Sequence, residues 1–225
     1  MGFTLIQARF DPGESAFFVT PRQITNQEFK LTQRIENPPE FMIATSKQML
    51  GYCTSGYLRV FVSPEGASLV EKHAQAFDSL MYTQDVEAWK EHLGAEDGML
   101  KFFESGKVLP VAEWISPEEL DMHNRILKAG GYTGPFNWYK AAVHLDPPKE
   151  DVELTEEEKK ITVPTLLIIP ERDFAIVRDM QVGFTKAVAG DLRVESIDAG
   201  HWAMLEAKGE VERLFEEFAS VNGGE

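Results

Sequence analysis

The sequence predicts an α/β chain, a parallel sheet interrupted by a long helical insertion, and three observations carry that reading. Residues 161–169, ITVPTLLII, form an apolar run rich in Ile, Leu and Val. Such a run suits a parallel strand covered on both faces. A helix-patterned stretch over about 178–189 follows, then a second strand-like stretch at Leu192–Ile197, the order of a right-handed crossover between parallel neighbours. Ahead of them, residues 39–148 show helical rather than strand periodicity. In open α/β sheets, reacting groups gather beyond the carboxyl ends of the strands. Asp173 lies just past the first strand end, and His201, within Gly200-His201-Trp202, just past the second. A carboxylate beside an imidazole orients the ring and stabilises its charged form, the part of a triad that is not the nucleophile. The plainer reading, a surface acid and a structural histidine, is outweighed by this placement.

Taken in order, residues 3–10, FTLIQARF, read as a strand closed by the turn Asp11-Pro12-Gly13. Residues 14–38 are polar, β-branched and proline-interrupted and have no clear element. Together they make an N-terminal core segment, 1–38. From Glu40 to Leu50 the pattern is that of an amphipathic helix ending at Gly51. Ser63-Pro64-Glu65 supplies an N-cap, a first-turn proline and an acid at the positive end of the helix dipole. Leu69, His73, Ala76, Phe77 and Leu80 then share one face.

Shorter helices are expected around 85–93 and 96–105. Ser116-Pro117-Glu118-Glu119 is a capping box, and its helix stops at Gly130-Gly131. Pro135 opens another over Phe136–His144. Residues 146–160, DPPKEDVELTEEEKK, read as a solvated linker between the helical block (39–148) and a C-terminal core segment (149–225). A final helix aligns Val211, Leu214, Phe215 and Phe218 on one stripe. His73, His92, His123 and His144 fall at no ligand spacing and read as surface or core residues.

The balance of 22 basic against 37 acidic residues, net −15, argues against nucleic acid or an anionic membrane as partner. The single Cys53 excludes an internal disulfide, and no Cys/His cluster suggests a metal or other cofactor. No apolar stretch is long enough to span a membrane. The N-terminus lacks the charged-then-apolar order of a secretory signal. These features predict a cytoplasmic protein.

Four stretches between Tyr52 and Phe218 carry a resemblance. They are Gly56-Tyr57-Leu58-Arg59-Val60-Phe61 with Pro64-Glu65-Gly66, Gly134-Pro135-Phe136-Asn137-Trp138-Tyr139, Glu171-Arg172-Asp173-Phe174, and Asp198-Ala199-Gly200-His201-Trp202. In that order and spacing they resemble the epoxide hydrolases of the α/β-hydrolase superfamily. The resemblance implies a partial α/β-hydrolase fold with a helical cap, acting on a small apolar or secondary-metabolite epoxide. In that family an aspartate opens the epoxide to form an ester, and a histidine oriented by an acid activates the water that hydrolyses it. Two lid tyrosines donate to the epoxide oxygen. By position, Tyr57 and Tyr139 would be these donors, His201 the base and Asp173 its orienter. A phenol of pKa about 10 stays protonated at neutral pH and can meet a developing alkoxide.

The sequence departs from the family in one large respect. The nucleophile turn and the His-Gly-x-Pro loop that precede the lid are absent. FTLIQARF fits the strand just before the lid, so the chain would start after the nucleophile. Substitutes are poor. Asp198 runs straight into the histidine turn, Cys53 lacks elbow glycines, Asp11 sits in a plain Asp-Pro-Gly turn, and Ser15 lacks a closing glycine. Lys208 stands where the family often has proline, which removes a helix-start signal but no chemistry. Two readings stay open: a hydrolase whose nucleophile half is elsewhere, or a catalytically inactive remnant serving as a binding module. An incomplete sheet also predicts self-association through the Ile161–Ile169 strand.

Overall fold

A computed structural model describes residues 5–6, 38–143, 155, 157, 160–175 and 177–222. The chain divides into two compact units: Met1–Thr32 with Pro147–Glu225, and Gln33–Asp146.

The first unit is built on a sheet of order β1-β2-β3, with β1 at Leu5–Ile6, β2 at Thr165–Pro170 and β3 at Leu192–Ile197. β2 and β3 are parallel, in register from Thr165 opposite Leu192 to Pro170 opposite Ile197. All six β2 residues are buried, as an unbroken apolar run requires when both faces are covered. Leu166 and Ile168 pack with Ile197, Leu214 and Phe218 on one face. Leu167 and Ile169 pack with Val188 and Ala189 on the other. The crossover helix is α9 (Arg178–Val188); the short α10 (Ala203–Glu206) follows β3, and α11 (Lys208–Asn222) buries the expected Val211, Leu214 and Phe218.

Three details differ from expectation. β2 is shorter than Ile161–Ile169, because Pro164 has no N–H for the ladder; Ile161 keeps an isolated parallel bridge to Ala189. The two described residues of β1 run antiparallel to β2, Leu5 opposite Leu167, so this pairing is not of the parallel kind. The connection from β1 to β2 passes through the whole second unit, long enough to return in either direction. Finally, β2 is flanked on both sides and covered on both faces, so the free edge expected there lies instead on β3, which among the described residues pairs with β2 alone.

The second unit is helical: α1 (Pro38–Leu50), α2 (Leu58–Phe61), α3 (Gly66–Lys72), α4 (Ala74–Met81), α5 (Val86–Trp89), a π-helix (Lys90–Gly94), α6 (Gly98–Ser105), α7 (Pro117–Gly130) and α8 (Thr133–Val143). Gly51 and Gly131 close α1 and α7 at φ +78° and +71°, a conformation that glycine adopts without strain. The capping box forms as expected, Ser116 Oγ accepting from Glu119 N–H while Glu119 accepts from Ser116 N–H (2.8 Å).

Ser63 is not an N-cap. Its hydroxyl donates back to the Val60 carbonyl (3.0 Å), and Glu65 holds the cap position of α3. The helix expected across His73 is broken there, at φ −115° and ψ 28°, with the imidazole stacked on Phe103. Helix α8 starts at Thr133, ahead of Pro135. His144 and most of the 146–160 stretch lie outside the described residues.

Candidate active site

In the first unit the chain emerges from β2 into Glu171-Arg172-Asp173 and from β3 into Asp198–Trp202. The parallel ladder continues past both strand ends. Glu171 N–H donates to the Ile197 carbonyl (3.0 Å) and Arg172 N–H to that of Ala199 (2.9 Å). These bonds hold the two emerging segments side by side. His201 Nδ1 lies 2.7 Å from Asp173 Oδ2, a charge-assisted distance that makes Nδ1 the protonated nitrogen. Asp173 Oδ1 accepts from Ala175 N–H (2.8 Å), so both carboxylate oxygens are engaged. The Asp173 side chain is fully buried and that of His201 is 16% exposed. A buried carboxylate with no freedom to turn fixes the ring's tautomer and stabilises an imidazolium.

In the second unit, Tyr57 precedes α2 and Tyr139 lies on α8. Their rings meet edge to face, centroids 5.9 Å apart. Both also pack on Phe61, at 5.1 and 4.8 Å, and Phe61 stacks on Phe136 at 4.3 Å. Burial pushes the Tyr139 phenol above its ordinary pKa, which keeps the proton on the oxygen. The Tyr57 segment is pinned from behind. Gly56 N–H donates to the Gly94 carbonyl (2.9 Å) and Tyr57 N–H to that of Leu93 (2.8 Å). A Cβ at Gly56 would overlap the Ala95 carbonyl, so only glycine permits this approach. Arg59, one turn along, grips Glu40 in a two-point ion pair (2.7 and 2.8 Å) and also reaches Glu96 and Asp97 (both 2.9 Å).

Of the weighed substitutes for a nucleophile, Asp198 is paired with Arg172 (2.6 Å) and its side chain is 83% exposed. Cys53 is a buried free thiol. It lines a cavity of about 610 Å³ with Lys47, Lys90 and Glu96, whose lysines are neutralised by Glu96 and Glu87. Asp11 and Ser15 lie outside the described residues. Among the described residues no His/Cys/Asp/Glu group could hold a metal, and no helix is long and apolar enough to cross a membrane.

Two polar groupings escaped sequence reasoning. One joins Arg172, Asp198 and Glu206 around the His201 turn. The other, in the second unit, joins buried Asp78 and Tyr132 to half-buried His123 and Tyr82: Tyr132 OH donates to Asp78 (3.2 Å), His123 Nε2 lies 3.5 Å from the same carboxylate oxygen, and Tyr82 OH meets His123 Nδ1 (3.2 Å). Helical spacing marks these residues only as amphipathic, since their partners come from other elements.

No family model matches the chain. Among curated proteins it is 29% identical over 138 residues to epoxide hydrolase srdG of Neurospora crassa, covering 56% of this chain and 40% of that protein. It is 34% identical over 108 residues to epoxide hydrolase A of Mycobacterium tuberculosis, covering 47% and 32%. The chain is thus similar in sequence to part of these epoxide hydrolases. Among solved structures it is similar to epoxide hydrolase A from Mycobacterium thermoresistibile, with TM-score 0.57 at 24% identity, covering 82% of this chain and 57% of that one. An epoxide hydrolase from an endophytic Streptomyces gives TM-score 0.62 at 19% identity, covering 83% and 56%. The fold is thus part of an α/β-hydrolase fold. The chain spans less than half the length of the two curated relatives.

Proposed function

We propose that this chain carries the ester-hydrolysing half, and the alkoxide-stabilising tyrosines, of an epoxide hydrolase acting on a small apolar epoxide. The observation that carries the reading is the 2.7 Å pair of Asp173 and His201 beyond the ends of adjacent parallel strands. An aspartate outside this sequence attacks a ring carbon, and the C–O bond breaks toward the ring oxygen. Tyr57 and Tyr139 donate hydrogen bonds to that oxygen as it becomes an alkoxide and then takes a proton from solvent, matched later by the proton that the His201 imidazolium returns to solvent. His201 Nε2 removes a proton from water. The resulting hydroxide adds to the ester carbonyl, and the diol leaves as the carboxylate is restored. Asp173 holds Nδ1–H in place and stabilises the imidazolium between proton uptake and release.

Rapid-quench mass spectrometry with an epoxide substrate tests this. The 225-residue form gives no appreciable diol, whereas a form extended upstream through a nucleophile turn gives diol, or a cyclised ether where a hydroxyl lies nearby. In the extended form His201→Gln accumulates the covalent ester. Diol formation by the short form alone overturns the division of labour, and an inactive extended form favours the binding-module reading. Self-association through the incomplete sheet belongs to the same reading, with β3 as the edge. Size-exclusion chromatography with light scattering decides it, a monodisperse monomer counting against it.

A further inference from the structure

We propose that Glu206, braced by Arg172, is the positioning residue for His201. The inference rests on the assignment of His201 as the base. The Glu206 carboxylate accepts from Gly200 N–H (2.7 Å) and from Trp202 N–H (3.2 Å), the residues on either side of His201. One largely buried anion therefore holds the Ala199–Gly200 and His201–Trp202 peptides, which bracket the turn that carries the imidazole. The side chain is only 11% exposed, so its hydrogen bonds meet little competition from water. The fit at Gly200 is close: a Cβ there would come 2.8 Å from Glu206 Oε1, and the carboxylate would have to give way.

Arg172 completes the brace. Its Nε donates to Asp198 Oδ1 (2.6 Å), and its Nη2 lies 3.3 Å from the Asp198 carbonyl and 3.5 Å from Glu206 Oε2. Arg172 is the residue before Asp173, so the side chain that steadies Glu206 stands on the segment carrying the histidine's own partner. The base and its orienter are therefore tied twice, directly by the Nδ1 bond and indirectly through Arg172 and Glu206. Removing the carboxylate withdraws one acceptor from each of two backbone donors and loosens the turn that holds His201 on Asp173.

The readout is the low-field Nδ1–H proton of His201, followed by NMR in the ¹⁵N-histidine-labelled 225-residue protein. This does not depend on any epoxide reaction. Glu206→Gln preserves shape but offers one acceptor oxygen in place of two. Arg172→Met alters a side chain that is 48% exposed and separates the brace from the clamp. Glu206→Gln should raise the exchange rate of that proton with solvent by about ten- to a hundred-fold, with Arg172→Met causing a smaller rise in the same direction. The circular-dichroism melt should stay cooperative in both. An unchanged exchange rate in folded Glu206→Gln overturns the proposal; should that variant not fold, an unchanged rate in Arg172→Met does so. Failure of the epoxide reading would show separately, as an extended form without diol formation.

Discussion

The two candidate half-sites are held in contrasting ways. Asp173 and His201 are fixed by hydrogen bonds at strand ends, both carboxylate oxygens of Asp173 answered by a named partner and the preceding peptides of Glu171 and Arg172 held across the ladder. Tyr57 and Tyr139 are fixed by ring packing around Phe61, with the backbone behind Tyr57 pinned to the π-helix. Directional bonds tolerate little displacement and suit a proton relay, whose donor–acceptor distance must hold. Aromatic edge contacts are broad in angle and suit donors that meet substrates of varied shape. The difference teaches that, on the proposed roles, the base and the oxyanion donors are held by different kinds of rigidity.

Asp173→Asn should break the hydrogen-bonded half most severely. It presents an amide where His201 needs a carboxylate, and ester hydrolysis in the extended form should fall by about 10⁴-fold. Single-turnover decay of the trapped ester measures it, with ester formation little changed. Phe61→Ala attacks the packed half. Phe61 is 4% exposed, so its loss should cost about 3–5 kcal/mol of stability in urea unfolding and loosen both tyrosines together. Tyr139→Phe removes one donor and leaves the packing. Ester formation should slow by an amount equivalent to about 2.7–4 kcal/mol, as for an oxyanion-hole donor, while hydrolysis of preformed ester is unaffected.

The smallest effect concerns Tyr132, whose phenol is pushed up by burial and by the Asp78 carboxylate beside it. Its folded pKa lies above the unfolded value of about 10. Its contribution to stability is therefore complete below pH 10 and is lost as pH rises through the folded value. Tyr132→Phe should lower stability at pH 8 by about 0.5–1.5 kcal/mol for the lost hydrogen bond. It should also flatten the decline above pH 10. Urea midpoints at pH 8 and 10.5 test this; an equal decline in both proteins would remove Tyr132 as the cause.

What was legible in the sequence follows the range of the forces involved. β3, α7 with its capping box, and the Asp173–His201 pair were readable because periodicity, caps and strand-end placement are local signals. The pairing direction of β1, the break at His73 and the π-helix were not, because each is set by contacts with distant segments. Arg172 and Glu206 left a faint trace: an arginine next to the acid and a glutamate shortly after the histidine turn. The Asp78–His123–Tyr82–Tyr132 grouping left none: Asp78 and Tyr82 share one helix end at a spacing common to any amphipathic helix, while His123 and Tyr132 come from distant segments.

The π-helix constrains how this stretch can drift. Ala95 N–H reaches the Lys90 carbonyl five residues back (2.9 Å), one residue more than an α-helical turn holds. Deleting any one of Lys90–Gly94 would restore an ordinary turn and close the widened one. The Leu93 and Gly94 carbonyls would then no longer meet Tyr57 and Gly56. Exposed Lys90 and Glu91 are open to substitution, while the length of the segment is locked. The exposed letters here are free while the count is not, so a single-codon deletion remote in sequence from Tyr57 would unseat it.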